Sequence, residues 1–492
     1  MGALTAEDVL VLGTAVVLPW FWGGVGLNTY RAAAAVVAIA AGWALIRGGA
    51  AGLSLWRGVS WLLPAALLGA WAFVQTVPLP RAWVAAVSPK AASLQAEAFG
   101  PEGSSAGVWM RGIEADARTR VPEAASAAVP AHGGTDPGTG VPSPPRGFTL
   151  SLQPSVTLEK AFWYAALLLA FLLVQRRTAD DRRAAAYRAT LFVSFGVLAI
   201  VGILNHVTAP NRLLWLRDAP FLTHPFGPYV DPSHFGGVME LAVPWLLGYG
   251  LQAWLRRGAG EHGRVKGVLA LVAAGLCAAA ALLAASRMAA MTLGVVTLTM
   301  GVVAIATARE RGRRVLLVGA LASVFLLGSV AFFGPLRGRV EDLWSPGAGG
   351  LSGNVRGIAW TSGFRLGQDY ALTGSGFGAF GELYPAYLPR GESDFWDRLH
   401  NDYLELYVAG GLVAVALASW LTAGFVARAV RVVRAAAVSG RLLSSLGRAL
   451  GLAALAAHEA VEFNLQIPAN ALLFVVISAM AVAPLVRTSE GS

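Results

Sequence analysis

Long apolar runs alternate along this chain with shorter polar connections. Crossing a bilayer takes roughly 20 consecutive, mostly apolar residues. Runs of that kind fall at 9–27, 32–48, 59–77, 160–175, 189–206, 235–254, 266–285, 288–307, 315–334, 404–426, 447–463 and 468–486. Nothing soluble in the chain is large enough to enclose them as core helices. The pattern predicts an all-α polytopic membrane protein with about 12 transmembrane helices.

The basic residues sort to one side of these runs. Alternate connections carry Arg47 and Arg57; Arg176, Arg177, Arg182, Arg183 and Arg188; Arg256, Arg257, Arg264 and Lys266; Arg309, Arg311, Arg313 and Arg314; Arg428, Arg431, Arg434, Arg441 and Arg448; then Arg487. Short loops rich in Lys and Arg mark the cytoplasmic face, so both termini are expected there. Glu7 and Asp8 stand where a secretory leader would be basic, which predicts a retained first span. Ala6 stands where a myristoylation signal carries Ser or Thr.

Composition agrees with the pattern. Of the 492 residues 56% are hydrophobic and 13% charged, with mean hydropathy +0.59, against roughly 25% charged in soluble domains. The net charge of +10 does not mark a nucleic-acid binder, because the basic residues recur between apolar runs rather than forming one patch or tail. Cys277 is the single cysteine and lies inside an apolar run. A disulfide framework or a cysteine-based metal site is thereby excluded.

Three long connections remain for the opposite face, at 78–159, 207–234 and 335–403. The expected organisation is therefore 1–77, spans one to three; 78–159, a long loop; 160–334, spans four to nine; 335–403, the loop expected to carry chemistry; and 404–492, the last three spans. Residues 101–146 are rich in Pro, Gly, Ala and Ser without hydrophobic period, and read as disordered. Residues 82–98 are mildly amphipathic, as for a segment on the membrane surface. The 335–403 loop has the aromatic and charged content of a small folded unit. Internal repeats of the kind many transporters carry are not evident.

Three segments on that face stand out: Pro225-Phe226-Gly227-Pro228-Tyr229-Val230-Asp231-Pro232-Ser233-His234-Phe235, the Ser286-Arg287 turn, and the stretch from Arg356 through Gly374-Ser375-Gly376-Phe377-Gly378 to Leu399-His400-Asn401-Asp402-Tyr403-Leu404. His400-Asn401-Asp402-Tyr403-Leu404 followed by Gly410-Gly411-Leu412 at the head of a span resembles the O-antigen ligase and polysaccharide polymerase family. The likeness runs from about Leu191 onward and includes His458-Glu459-Ala460-Val461-Glu462-Phe463-Asn464-Leu465-Gln466-Ile467-Pro468, with weaker echoes at Val77-Pro78-Leu79-Pro80 and Ser151-Leu152-Gln153-Pro154. One departure is Ala409, where members often have Glu.

The resemblance implies a C-type glycosyltransferase-like fold in the bacterial inner membrane, with its active site facing the periplasm. Such enzymes move a glycan from an undecaprenyl diphosphate carrier to an acceptor hydroxyl, either a lipid A core sugar (ligase) or another carrier-linked glycan (polymerase). Both outcomes stay open, as does contact with other polysaccharide assembly proteins. The enzyme class implied is a metal-independent, inverting glycosyltransferase that uses no cofactor.

The residue chemistry fits that expectation. A diphosphate leaving group needs fixed cations, and the planar arginine fork grips phosphate oxygens in pairs. Arg287, beside the apolar runs, and Arg356, matching the family's loop arginine, are the catalytic candidates; the plainer roles are a snorkelling helix-end arginine and a solvated loop charge. Arg337, Arg339 and Arg365 compete with Arg356, and Arg217 is a third substrate-binding candidate. His400 is the candidate base, since neutral imidazole accepts a hydroxyl proton; capping the tenth span is its plainer role. Asp397 and Asp402 flank it. Asn401, Asp402, Tyr403 and His234 are expected at the substrate, with His458 a structural or acceptor-side polar contact beside Glu459 and Glu462.

Other chemistries find little support. His224, Asp231 and His234 are spaced so that a loop could gather them around zinc, but nothing resembles the acidic pair of metal-dependent C-type enzymes, so no catalytic metal is expected. The 374–378 glycines lack the Lys-Ser/Thr of a P-loop and are expected to permit tight turns. The competing class is a transporter or flippase of a lipid-linked sugar or small anion. It would place ionisable residues at the membrane midplane, whereas here the polar candidates cluster toward one face and the span centres are nearly uncharged. A structural scaffold would not need Arg287, Arg356 and His400.

Overall fold

The computed structural model describes residues 4–53, 60–98, 147–218, 224–256, 260–311, 313–318, 350–389 and 396–483. It is a mostly helical membrane protein. The first helices are α1 (Ala6–Val17), α2 (Leu27–Leu53), α3 (Leu63–Val74), α4 (Arg81–Val87) and α5 (Pro89–Ala98). Next come α6 (Pro154–Arg177), α7 (Asp181–Thr208), α8 (Pro232–Leu255), α9 (Glu261–Leu283) and α10 (Arg287–Thr307). The last described helices are α11 (Gly350–Asp369), α12 (Asp402–Val438), α13 (Leu442–His458) and α14 (Pro468–Ala481). A two-stranded antiparallel hairpin, Arg212–Leu213 with Arg217–Asp218, follows α7.

Five of these helices, α6, α7, α9, α10 and α12, are long and apolar enough to cross a membrane. The expected ninth span, 315–334, lies mostly outside the described residues, as do the 101–146 stretch and Arg57, Arg337, Arg339 and Arg487. Two expected spans differ in detail. The first is broken: α1 stops at Val17 and two short 3-10 turns follow, Leu18–Trp20 and Trp22–Gly24. Pro19 and the left-handed Gly23 and Gly24 (φ 72° and 79°) end the regular helix there. The eleventh run, expected over 447–463, is helical over Leu442–His458, so Glu459 and Glu462 lie in the connection beyond it.

Helix α8 is the axis of the bundle and packs against α9, α13, α10, α7 and α14. Its residues from His234 to Leu246 are all buried. Glycines allow its neighbours to come close: a methyl group on Gly248 would meet the Leu443 carbonyl at 2.2 Å, and one on Gly447 the Pro244 carbonyl at 2.2 Å.

A second, smaller core lies at one end. Val84, Ala91, Phe148, Leu150, Ala359, Leu366, Tyr370, Phe380, Tyr384, Leu399 and Val408 pack together there. It joins two connections distant in sequence, 79–152 and 356–399, and is the small folded unit expected from the aromatic content. Its anchor is a break in α12. Gly411 (φ 67°, ψ −169°) interrupts the helix, which frees carbonyls that must find other donors. The amides of Ser375 and Gly376 donate to the carbonyls of Val408 (2.9 Å) and Ala409 (3.0 Å). Trp71 Nε1 donates to Gly410 (2.9 Å) and Gln75 Nε2 to Ala409 (3.0 Å). Gly374, Gly376 and Gly378 all have positive φ, the tight turns that their sequence predicts. Ala409 is buried and serves here through its backbone.

Candidate functional site

The segment 396–402 runs from this small unit into α12. Asn401 caps the helix, its Oδ1 accepting from the Leu404 amide at 3.0 Å. The preceding residue, His400, has φ 48°, a left-handed conformation that costs about 1–2 kcal/mol in a residue with a side chain. Its neighbours hold it there. Trp360 Nε1 donates to the Leu399 carbonyl (2.9 Å), and the Leu399 amide donates to Glu405 Oε2 (2.9 Å). Such strain persists where the surroundings over-determine it.

The imidazole is gripped on three sides. His400 Nδ1 lies 2.9 Å from Glu462 Oε2. The rings of Trp396 and Phe463 meet it edge-on, with centroids at 4.9 and 4.7 Å. The other oxygen of Glu462 accepts from Arg356 Nη2 at 2.6 Å. One carboxylate thus joins a guanidinium from α11 to an imidazole from the α12 entrance. Burial would raise the Glu462 carboxyl, but the His400 contact, with Arg356 and His234 nearby, outweighs it and holds it down to about 2. A carboxylate at Glu462 can accept the Nδ1–H of a neutral His400, and in that tautomer Nε2 carries the lone pair.

His234, at the start of α8, enters the same cluster. Its ring meets Phe463 edge-on at 4.6 Å. It is buried, and among the described residues its Nε2 has no hydrogen-bond partner. The start of α8 is fixed by Asn470, whose Nδ2 donates to the His234 carbonyl (2.8 Å) and to Asn464 Oδ1 (3.1 Å), while Tyr229 donates to Asn470 Oδ1 (2.9 Å).

Asp231, His234 and Glu462 offer ligand atoms within 4.8 Å of one another. This differs from the sequence-based trio in replacing His224 by Glu462. Both Glu462 oxygens are already engaged, one by a permanent cation. A dication there would share the Glu462 carboxylate with the Arg356 guanidinium, whose charge repels it, so the donor set fits a metal poorly.

The remaining candidates divide. Arg287 is the first residue of α10, exposed, with Ser286 as cap. Its helix start abuts that of α8: a methyl group on Gly236 would touch Ala289 Cβ at 3.0 Å and Ser286 Cβ at 3.2 Å. Arg217 lies in the exposed hairpin, its guanidinium 5.6 Å from the Trp22 ring. The residues after His400 bond to the protein itself: Asp402 Oδ1 accepts from Gln466 Nε2 (2.9 Å), and the half-exposed Tyr403 donates to the Ala456 carbonyl (2.6 Å).

His458 belongs to a separate, sealed cluster. Its Nδ1 lies 3.0 Å from Glu240 Oε2, and Thr292 donates to the other oxygen. The sequence reading left Glu462 and Glu240 without a functional role and considered Asp231 only as a possible zinc ligand. Glu462 stood in a segment that carried the resemblance, and Glu240 was the one acid of the 235–254 run, a sign of function in itself.

Two comparisons bear on this geometry. Residues 272–419 match the family model described as O-antigen ligase. The match covers Arg287, Arg356 and His400 but ends before Glu462. No curated protein matches the chain.

Proposed function

With an O-antigen ligase domain at residues 272–419 as the premise, we propose that this chain moves a glycan from an undecaprenyl diphosphate carrier to an acceptor hydroxyl, with inversion at the anomeric carbon. The single observation that carries the reading is the Arg356–Glu462–His400 arrangement. The Glu462 carboxylate takes the Nδ1–H of His400 and turns the Nε2 lone pair outward as base. The acceptor oxygen attacks the anomeric carbon from the side opposite the diphosphate. Its proton passes to His400 Nε2, and the carbon–oxygen bond to the carrier breaks. The departing diphosphate takes the electron pair, and Arg356 and Arg287 stabilise its charge. Arg356 has donors left beyond its one contact to Glu462. We assign His234, whose buried Nε2 has no hydrogen-bond partner among the described residues, to a substrate hydroxyl, and Arg217 is a further cation for the carrier.

In this reading the site faces the periplasm of a bacterial inner membrane, and transfer needs neither metal nor nucleotide. The acceptor is a lipid A core sugar or a second carrier-linked glycan. A deletion strain tests the function. Full-length chains retained on the carrier mean a ligase, and chains capped at one repeat mean a polymerase. Normal surface glycan would overturn the proposal in favour of transport. Activity lost in EDTA and restored by one specific metal would overturn the mechanism.

A further inference from the structure

The buried cluster of Glu240, His458 and Thr292 has no part in the reaction as derived, yet it joins three helices that each lead to the site. Glu240 is on α8, six positions after His234, about 9 Å along the axis. Thr292 is on α10, five positions after Arg287, about 7.5 Å. His458 is the last residue of α13, just before the connection that carries Glu462. All three side chains are buried, Glu240 and His458 completely. One carboxylate takes the Thr292 hydroxyl on one oxygen and faces His458 Nδ1 on the other.

We propose that the Glu240–His458–Thr292 cluster is a positioning clip that sets Arg287 against the His400–Glu462 pair. Its members touch no substrate. An ionisable group this deep among apolar helices is costly unless it is partnered; both Glu240 oxygens are taken, while His458 Nε2 has no hydrogen-bond partner among the described residues. In a low-dielectric interior the contacts are also strong and directional. Small residues such as Gly236 and Ala289 bring α8 and α10 close together, and a directed polar contact beside them pins one register. The Thr292–Glu240 bond supplies it. Glu240 is simultaneously tied to His458, so the same carboxylate fixes the helix that carries Arg287 and the turn that carries Glu462.

The inference rests on the reading that Arg287 grips the carrier diphosphate, and the test separates the two. The full chain is purified in detergent, and undecaprenyl diphosphate is the probe. Thr292→Val keeps the shape and removes the hydroxyl; it is expected to weaken binding about tenfold, as for the loss of one buried hydrogen bond's worth of alignment. Thr292→Ser restores the hydroxyl and is expected to bind within about twofold of the parent, on the same argument. In the Arg287→Ala background, Thr292→Val should cause no further loss, because a positioning residue has nothing left to position. A role in stability alone would lower the melting temperature and leave this cycle additive, which would overturn the clip. Parental binding by Thr292→Val beside weakened binding by Arg287→Ala overturns it too. Parental binding by Arg287→Ala overturns the diphosphate reading of Arg287, and the purpose of the clip with it. Should Thr292→Val fail to fold, Thr292→Ala carries the same cycle.

Discussion

Among the described residues two histidine–glutamate pairs of nearly equal geometry stand in very different surroundings. His400 Nδ1 is 2.9 Å from Glu462, and His458 Nδ1 is 3.0 Å from Glu240. The His458 pair is sealed, its side chains 1% and 0% exposed. Its third member is a neutral hydroxyl. The His400 pair lies at the end of the bundle with the imidazole 16% exposed. Its third member is a guanidinium, and its histidine sits in a strained, left-handed backbone conformation. In the proposed reading, the same pair of side chains ties helices together where water is excluded and presents a base where a substrate can arrive. The surroundings decide, through access and through the charge of the third partner.

His400→Ala should separate the two pairs most sharply. The expected loss of transfer is on the order of 10²–10⁴-fold if His400 is the general base, with undecaprenyl diphosphate still bound and the protein still folded despite the lost Glu462 contact. A folded His400→Ala protein that transfers glycan at the parental rate removes His400 from the mechanism. For His458→Ala the main change should be in stability, because one buried oxygen of Glu240 loses its partner, a situation that costs about 1–3 kcal/mol. Thermal melting in detergent measures this, and an unchanged transition would make the two histidines more alike than the structure implies.

Arg356→Ala should weaken carrier binding and transfer together, by about 10–150-fold, corresponding to roughly 1.5–3 kcal/mol for a hydrogen bond to a charged group. Arg356→Lys keeps the charge but not the planar fork, and should recover only part of that loss. Full recovery in Lys would mean that Arg356 acts as a point charge.

The smallest effect concerns pH. The Glu462 carboxyl is held down to about 2 from its ordinary value of 4.5. A depressed folded pKa stabilises the protein above the unfolded value, and that contribution is lost as pH falls through the folded one. Melting of the parent and of Glu462→Gln should therefore differ by a constant gap from neutral pH down to about 4.5, and the gap should close toward pH 2. A gap that closes near neutrality would mean that the pair titrates as a unit through the imidazole.

Much of the architecture was legible in the order of residues. Apolar runs placed the helices now seen at α2, α6 to α10 and α12 to α14, five of which are long and apolar enough to cross a membrane. Aromatic content foretold the small unit around Tyr370, Phe380 and Tyr384, and the 374–378 glycines foretold tight turns. His400 and Arg356 were legible by their motif and place. The partner of both was not: Glu462 is 62 positions from His400 and 106 from Arg356, and no local period links them.

The amino-acid sequence by itself determined the helical membrane class, the alternation of basic clusters, and the residue types available for holding phosphate and moving a proton. These follow from transfer of side chains between water and lipid, which each residue feels alone. Only the tertiary structure decided which acid meets which histidine. Glu240 and His458 are 218 positions apart, and they meet because close glycine contacts such as Gly248 with Leu443 and Gly447 with Pro244 let α8 and α13 pack nearly backbone to backbone. Glu462 reaches His400 because α13 stops at His458 instead of continuing, so the turn beyond it delivers the carboxylate to the entrance of α12. Such pairings depend on helix register and packing, which are properties of several segments at once and are carried by none of them separately.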